Sequence, residues 1–451
     1  MHLQRIQTLL NDMPDYNTFM TVEELNESTH ILVQDHPETV LLSQIGHSRQ
    51  GEAIEMLRIG EGSKKVLLFG TPHPNEPVGS MLLEFLSQKL AEDADLRAEL
   101  NCTWYLIKCI DPDGTRLNEG WFKGPFTLSN YARNYYRPPQ DQQVEWSFPA
   151  EYKTLRFDRP MPETKALMDV LERVQPDMIC SLHNSGFGGT YLYLSESVPD
   201  KYKDFYALAE EKGLPLHLGE PELPFVKHYG PAVFKMHGVQ DQYDFLAANS
   251  KKDPAESLRM GASSYEYARR FGNPFFMICE VPYFYNALIR DTSPGAKMHG
   301  CLIKKSIFVL RHKFQQMKAI YQKVSDELSE PSAFRDAIEY WLGNYEQQLN
   351  AKLHWVVNNE ELECIATTAE VFDNDFVSRF YGLLSMGMFL RMLENQVQAG
   401  TQTESLNSAF EEMTTIFEKE AAYLERELEY EVVSIRNLVS MQLGSILLML
   451  D

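Results

Sequence analysis

A histidine and a glutamate three residues apart, His73 and Glu76, lie in a proline-rich turn directly after the apolar run 66–69. Imidazole nitrogens and carboxylate oxygens are the ligands that Zn²⁺ takes in catalytic sites, where three protein side chains leave a fourth position for water. The pair therefore predicts half of a metal site, which requires a third ligand and a general base. The alternative is a surface pair that binds nothing.

Two further residues occupy comparable positions. His183 follows an apolar run and precedes a glycine-rich loop, and Glu280 lies inside an apolar strand-like segment. An ionised carboxylate is rarely buried unless it is paired or binds a metal. We therefore predict His183 as the third ligand and Glu280 as a general base that deprotonates water. The alternatives are a hydrogen-bonded edge histidine and a salt bridge from Glu280 to Arg269 or Arg290.

Four basic residues follow the turn 111–114, namely Arg116, Lys123, Arg133 and Arg137. In amide hydrolysis, charge develops on the carbonyl oxygen, and a fixed cation near the metal stabilises that charge. Arg133 and Arg137 could instead bind a substrate carboxylate through paired hydrogen bonds. The alternative is that these are surface arginines in a long loop.

The elements that must position these side chains form an α/β pattern up to about residue 300, with short apolar runs alternating with amphipathic stretches. The predicted strands are Thr39–Ser43, Glu55–Ile59, Val66–Phe69, Thr103–Ile110, Met178–Leu182, Tyr191–Leu194 and Pro274–Val281. The predicted helices are Val78–Ala91, Pro162–Val174, Lys201–Lys212 and Ala262–Arg270. Ligands of open α/β sheets bind outside the carboxyl ends of the strands, where His73 and His183 are predicted to lie.

Beyond about residue 300, glycine and proline become sparse and long amphipathic stretches predict helices. These are Lys304–Leu328, Ala333–Leu353, Phe376–Gln398 and Leu406–Leu450. Apolar residues recur every three or four positions along the last stretch, a spacing typical of a packed helical interface. We therefore predict a catalytic domain over residues 1–300 and an α-helical C-terminal domain over residues 301–451.

Composition excludes several classes of protein. Of the 451 residues, 44 % are hydrophobic and 12 % aromatic, which is enough for a core, and the net charge is −22. This charge argues against binding to nucleic acid or anionic membranes through bulk electrostatics. The six cysteines form no CxxC pair, the N-terminus lacks an apolar signal region, and no apolar run approaches 18 residues. We expect a cytoplasmic protein without a membrane span.

The order of these motifs resembles the zinc carboxypeptidase family, related to carboxypeptidases A and B, over about residues 18–300. The matching segments are 21–25, 36–40, 45–60, His73 with Glu76, Asp111-Pro112-Asp113-Gly114 in place of NPDG, His183 and Glu280. The resemblance implies a mixed, twisted sheet flanked by helices. It also implies one Zn²⁺ per chain held by His73, Glu76 and His183, with Glu280 as base and proton shuttle in promoted-water attack on an amide bond.

The chain departs from the family pattern at residues that govern specificity. Typical carboxypeptidases have an arginine between the first two ligands, near the place of Asn75. Their Asn-Arg pair, which binds the C-terminal carboxylate, aligns with Ala132-Arg133, so Asn130 or Asn134 would have to supply the missing amide.

Two further roles implied by the resemblance have more than one candidate. The oxyanion cation aligns with Lys123, Arg116 or Arg137, and the substrate-capping tyrosine with Tyr265 or Tyr267.

The sequence thus predicts a zinc-dependent metallopeptidase, most closely of the carboxypeptidase type, acting on a peptide or an amino-acid amide. One alternative is an N-deacylase, amidohydrolase or endopeptidase that uses the same zinc site on modified peptides. Another is a binding or scaffold protein with a vestigial site. We expect no nucleic-acid partner, and a homo-oligomer formed through the helical C-terminal region is a further hypothesis.

Overall fold

A computed structural model of the chain describes residues 3–400 and 403–450. Its strands are β1 Val40–His47, β2 Ala53–Ile59, β3 Lys64–Gly70, β4 Cys102–Ile107, β5 Ala150–Tyr152, β6 Leu155–Phe157, β7 Met178–Leu182, β8 Ser185–Phe187, β9 Tyr191–Leu194, β10 His228–Gly230, β11 Val233–Lys235, β12 Phe275–Glu280, β13 Pro282–Tyr285, β14 Pro294–Met298, β15 Ile365–Thr367 and β16 Glu431–Val432.

The α-helices are α1 Leu3–Asn11, α2 Val22–Asp35, α3 Val78–Glu92, α4 Ala94–Leu100, α5 Pro112–Arg116, α6 Leu128–Asn134, α7 Pro162–Val174, α8 Pro199–Glu211, α9 Val239–Asn249, α10 Ser264–Ala268, α11 His299–Val324, α12 Ala333–Val357, α13 Thr368–Phe372, α14 Ser378–Gln398, α15 Glu404–Glu427 and α16 Ile435–Met449.

The main sheet has nine strands in the order β1-β2-β4-β3-β7-β12-β9-β11-β10. Strands β4, β3, β7 and β12 run parallel at its centre, whereas β1, β2, β9 and β10 each form at least one antiparallel pair. The carboxyl ends of β3, β7 and β12 therefore meet at one edge of the sheet. The short edge strands β10 and β11 were not among the predicted strands, because three residues carry too little apolar periodicity to be recognised.

Each face of the sheet packs against its own layer of helices. Along β3, Val66 and Leu68 belong to one apolar cluster and Leu67 and Phe69 to the other, as the alternation of side chains along a strand requires. The first cluster includes α3, α8 and α16, and the second includes α7 and α9. This mixed sheet flanked by helices, with a helical C-terminal region, confirms the predicted fold class.

The C-terminal region is helical, but the predicted helix 406–450 is interrupted. The chain leaves α15 after Glu427, pairs Glu431 and Val432 with β13, and begins α16 at Ile435 behind the capping hydroxyl of Ser434. A β-branched residue beside a good N-cap favours this break over a continuous helix.

Helices of the C-terminal region pack directly on the first 300 residues. Helix α16 contacts α3 and α8, and α14 contacts α6. At Gly387 of α14 an added Cβ would lie only 1.9 Å from the carbonyl oxygen of Ala132, so the close approach of these helices requires glycine. The division into two domains at residue 300 stays a prediction.

Among the described residues, no helix combines the length and apolar character that crossing a membrane would require.

Candidate metal centre

The turn after β3 holds His73 and Glu76 in buried positions. Thr71, the first residue after the strand, has a φ of +50°, an unusual conformation for a β-branched residue and a sign of local strain. The backbone N–H of Glu76 donates to the carbonyl of His73 at 3.0 Å, which closes the turn before α3. Both side chains consequently point toward the end of the neighbouring strand β7.

His183 follows the last residue of β7 and is also buried. Helix α3 approaches this strand end closely, because a Cβ at Gly79 would lie 2.4 Å from the Cβ of Leu182. The strand end and the helix start therefore bring His183 next to the turn that carries His73 and Glu76.

The three side chains form a compact donor set. His73 Nδ1 lies 3.2 Å from Glu76 Oε1, and His183 Nδ1 lies 2.9 Å from Glu76 Oε2 and 3.0 Å from His73 Nδ1. Tetrahedral zinc with bonds of about 2.0–2.1 Å places neighbouring ligand atoms roughly 3.3 Å apart. Two imidazole nitrogens and a carboxylate converging at this spacing fit a zinc ion.

Outer contacts fix the orientation of His183. Its Nε2 lies 2.9 Å from Ser181 Oγ and 3.8 Å from Glu145 Oε1. The buried carboxylate of Glu145 also accepts hydrogen bonds from Ser181 Oγ and, at 3.0 Å each, from the N–H and hydroxyl of Ser264. A carboxylate behind a ligand histidine sets its tautomer and raises its basicity.

The different surroundings of the two histidines move their pKa values in opposite directions. Burial and the positive charge of Arg137 lower the pKa of His73 to about 3. Burial opposes the charged form of His183 as well, but the carboxylates of Glu145 and Glu76 outweigh it and raise the pKa of His183 to about 10. For Glu76, burial favours the neutral form, whereas His73 and His183 prevail and lower the pKa.

Metal binding should therefore release a proton from His183 and none from His73. A ligand imidazole must be neutral, and His183 holds its proton up to about pH 10 in the free protein, so metal affinity should rise with pH through neutrality. Calorimetric titration with Zn²⁺ at pH 7.5, in buffers of different ionisation enthalpy, measures the protons released. Glu145→Gln, which weakens the cause of the raised pKa, should release fewer; a titration independent of buffer would contradict the assignment.

Glu280 ends β12 and lines the same cavity as the three ligands. Its side chain is buried, and its Oε2 has no hydrogen-bond partner among the described residues. Burial, followed by the nearby carboxylates of Glu76 and Glu222, raises the pKa of Glu280 well above its usual range. A carboxyl with a raised pKa and a free oxygen is suited to proton transfer.

The cavity has a volume of about 270 Å³. Six residues predicted from the sequence line it, namely His73, Glu76, His183, Glu280, Arg137 and Tyr265. Arg137 donates from Nη1 to Glu76 Oε1 at 2.9 Å, and it is the only arginine or lysine lining the cavity in the described part of the chain.

Four other predicted site residues lie outside this cavity, each held by a different partner. Lys123 binds Glu24 at 2.6 Å, Arg116 lies 3.4 Å from Glu52, and Arg133 binds Glu394 of α14 at 2.7 Å. The amide of Asn130 donates to the carbonyl of Pro125 at 2.8 Å. The structure thus does not bring these four residues together with the metal ligands, because nearby acceptors hold their donors elsewhere.

Several residues that line the cavity were not predicted from the sequence. Glu145 lies between Val144 and Trp146, and a carboxylate between large apolar residues is the same signal that identified Glu280. No sequence signal marks Tyr381 and Leu384, which reach the cavity from α14.

Part of the chain is similar in sequence to known zinc carboxypeptidases. Residues 25–217 match the model of the zinc carboxypeptidase family. The chain is 29 % identical to zinc carboxypeptidase A 1 of Anopheles gambiae over 126 residues. The aligned segment covers 25 % of this chain and 29 % of that relative. The chain therefore spans less than a third of the length of this curated relative.

Two solved structures are similar at low scores. Carboxypeptidase A from Helicoverpa armigera matches with a TM-score of 0.38 and 17 % identity, over 63 % of this chain and 72 % of that one. A metallo-carboxypeptidase from Burkholderia cenocepacia matches with a TM-score of 0.35 and 16 % identity, over 60 % and 61 %. The segment that matches the zinc carboxypeptidase family model, residues 25–217, contains all three converging ligands.

Proposed function

We propose that the chain is a zinc-dependent metallopeptidase of the carboxypeptidase type, with one Zn²⁺ held by His73, Glu76 and His183. The observation that carries this proposal is the convergence of three buried donor groups in a cavity that Glu280 also lines. Zinc, when bound, supplies a Lewis acid that polarises a carbonyl oxygen and lowers the pKa of water to about 7.

Glu280 would move the proton in this reaction. Its free Oε2 accepts a proton from the attacking water and passes it to the nitrogen of the leaving amine. The raised pKa of Glu280 suits the second transfer, in which the carboxyl is an acid. The positive charge of Arg137 opposes that rise and favours the carboxylate needed for the first transfer.

Arg137 would supply the positive charge that faces the substrate. Its Nη1 is bound to Glu76 and its Nε to Gln143, so the N–H groups of Nη2 would stabilise the charge that develops on the carbonyl oxygen. The same guanidinium could instead bind a terminal carboxylate, because Arg133, the other candidate, is paired with Glu394 outside the cavity.

The cavity supports action on the end of a peptide. Its volume of about 270 Å³ lies near the lower limit of small-molecule sites, which start at about 300 Å³. Such a space suits one terminal residue better than the middle of a polymer. We keep a cytoplasmic location and a homo-oligomer formed through the helical region as predictions.

Hydrolysis of free-acid peptides, compared with the same peptides amidated at the C-terminus, tests the proposal. The purified protein should contain about one zinc and should release the C-terminal residue only from the free acids. Equal turnover of both forms would refute the carboxypeptidase type and favour the endopeptidase or N-deacylase alternative.

Arg137→Gln should separate the two roles of this arginine. Loss of an oxyanion donor lowers kcat by about 10²–10³, whereas loss of a carboxylate clamp raises KM and leaves kcat nearly unchanged. Zinc content must be measured in the same samples, because Arg137 also contacts the ligand Glu76. Arg133→Gln is the matched control, and it should change neither constant if Arg133 stays bound to Glu394.

A further inference from the structure

The two strands that carry His183 and Glu280 are not joined to each other where these residues lie. Strands β7 and β12 are parallel neighbours, but their pairing ends at Cys180 and Met277. Pairing resumes beyond the site, where β8 meets β13. The ladder of the described strands therefore has a gap at the metal ligand and the base, which closes where the N–H of Ser185 donates to the carbonyl of Val281 at 3.0 Å. Within this gap no strand pairing between β7 and β12 holds the two backbones together.

A glutamine of the C-terminal helix fills this gap. Gln442 of α16 is completely buried, and its Nε2 donates to the carbonyl oxygen of His183 and, at 3.1 Å, to that of Cys279, the residue before Glu280. One amide group thus holds the backbone of both strand ends. Both bonds span more than 160 residues of sequence.

The other end of this side chain has no such partner. Oε1 of Gln442 is buried without a hydrogen bond among the described residues. The neighbouring residues of the helix, Met441 and Leu443, are buried apolar side chains. A buried acceptor without a partner costs stability, and an apolar side chain of similar size would avoid that cost. Packing alone therefore does not account for an amide at this position. The hydrogen bonds that Nε2 donates to the carbonyls of His183 and Cys279 do account for it.

We propose that Gln442 is a positioning residue that sets the distance between His183 and Glu280, so that the C-terminal helix is an integral part of the active site. It acts through the backbone and touches neither substrate nor metal. This inference rests on the proposed function, since it assigns to Gln442 the geometry of the metal ligand and the base.

Gln396 of α14 provides a matched control. It is equally buried, and both ends of its amide bind the backbone of Glu330, with Nε2 to O at 2.6 Å and N–H to Oε1 at 3.1 Å. It does not line the cavity. Both Gln396→Met and Gln442→Met leave two backbone groups unpaired. Only Gln442→Met also removes a buried oxygen that already lacks a partner, so it should cost less stability.

The experiment compares the two methionine variants of the full chain by thermal unfolding, metal affinity and kinetics. Gln442→Met should weaken Zn²⁺ binding about tenfold or more in a chelator competition, as loss of outer contacts does elsewhere. It should also change the absorption spectrum of the Co²⁺-loaded protein and lower kcat more than it raises KM. Gln396→Met should lower Tm by more and leave affinity and spectrum as in the wild type.

Gln442→Glu keeps the experiment decisive if the methionine variant does not fold. The protonated carboxyl has the same shape but donates only one hydrogen bond, so Gln442→Glu should bind Zn²⁺ more weakly than the wild type and, where Gln442→Met folds, more tightly than that variant.

Two results would overturn the inference. One is a Gln442 variant with the metal affinity, Co²⁺ spectrum and kcat of the wild type. The other is an equal change of these quantities in Gln396→Met, which would make both effects general losses of stability. A wild type that binds metal but hydrolyses no peptide would refute the proposed function only, because affinity and spectrum still test Gln442.

Discussion

Glu280→Gln should abolish most hydrolysis while the metal site stays intact. The amide has the shape of the carboxylate but cannot accept the proton of the attacking water, and proton transfer by a positioned side chain contributes about 10²–10⁴-fold to kcat. Because Glu280 is not one of the three converging donors, zinc content should equal that of the wild type. Single-turnover kinetics and metal analysis of the same preparation measure both quantities.

Glu222→Gln is the appropriate comparison, since it also removes a carboxylate from this cavity without changing its shape. The charge of Glu222 raises the pKa of Glu280, so its removal should lower that pKa. The acid limb of the kcat/KM profile, which reports ionisation of the base, should then move to lower pH. Full activity of Glu280→Gln would show that another group takes the proton.

His183→Ala should abolish tight metal binding. The side chain supplies one of three ligands, and its loss removes a direct bond in addition to the contacts with Ser181 and Glu145. Outer contacts alone are typically worth 10–100-fold in affinity, so loss of the ligand should exceed about 100-fold. Competition with a chromophoric chelator measures the Kd for zinc.

Glu145→Gln distinguishes this effect from simple damage to the fold. The amide retains the shape and some of the hydrogen bonds to Ser264, but it no longer supports His183 with a negative charge. Zinc affinity should fall by about 10–100-fold, less than in His183→Ala. Equal zinc affinity of His183→Ala and wild type would remove His183 from the metal site.

The sequence was sufficient to predict the three donor groups that converge in the candidate metal centre. His73, Glu76 and His183 follow apolar runs, and parallel strands place such positions at one edge of the sheet. Glu280 was identified because a carboxylate within an apolar strand is costly unless the site uses it. These are local signals, because each one depends only on the residues next to it in the sequence.

Tertiary structure decided which basic residue lines the cavity. Arg133 and Arg137 are four residues apart in one segment, but only Arg137 lines the cavity, whereas Arg133 is drawn to Glu394. Lys123 turns to Glu24 on α2 in the same way. Partners from distant parts of the chain determine these orientations. The composition of the loop and the spacing of its residues do not predict which partners these are.

The role of the C-terminal helices also depended on long-range contacts. Their apolar stripes predicted a helical region, but not that Tyr381 would line the cavity or that Gln442 would bind two strand ends. Local periodicity determines that a helix forms and which face it buries. The element against which that face packs is fixed only when the whole chain folds. The role of a single buried amide likewise depends on which distant backbone groups it binds.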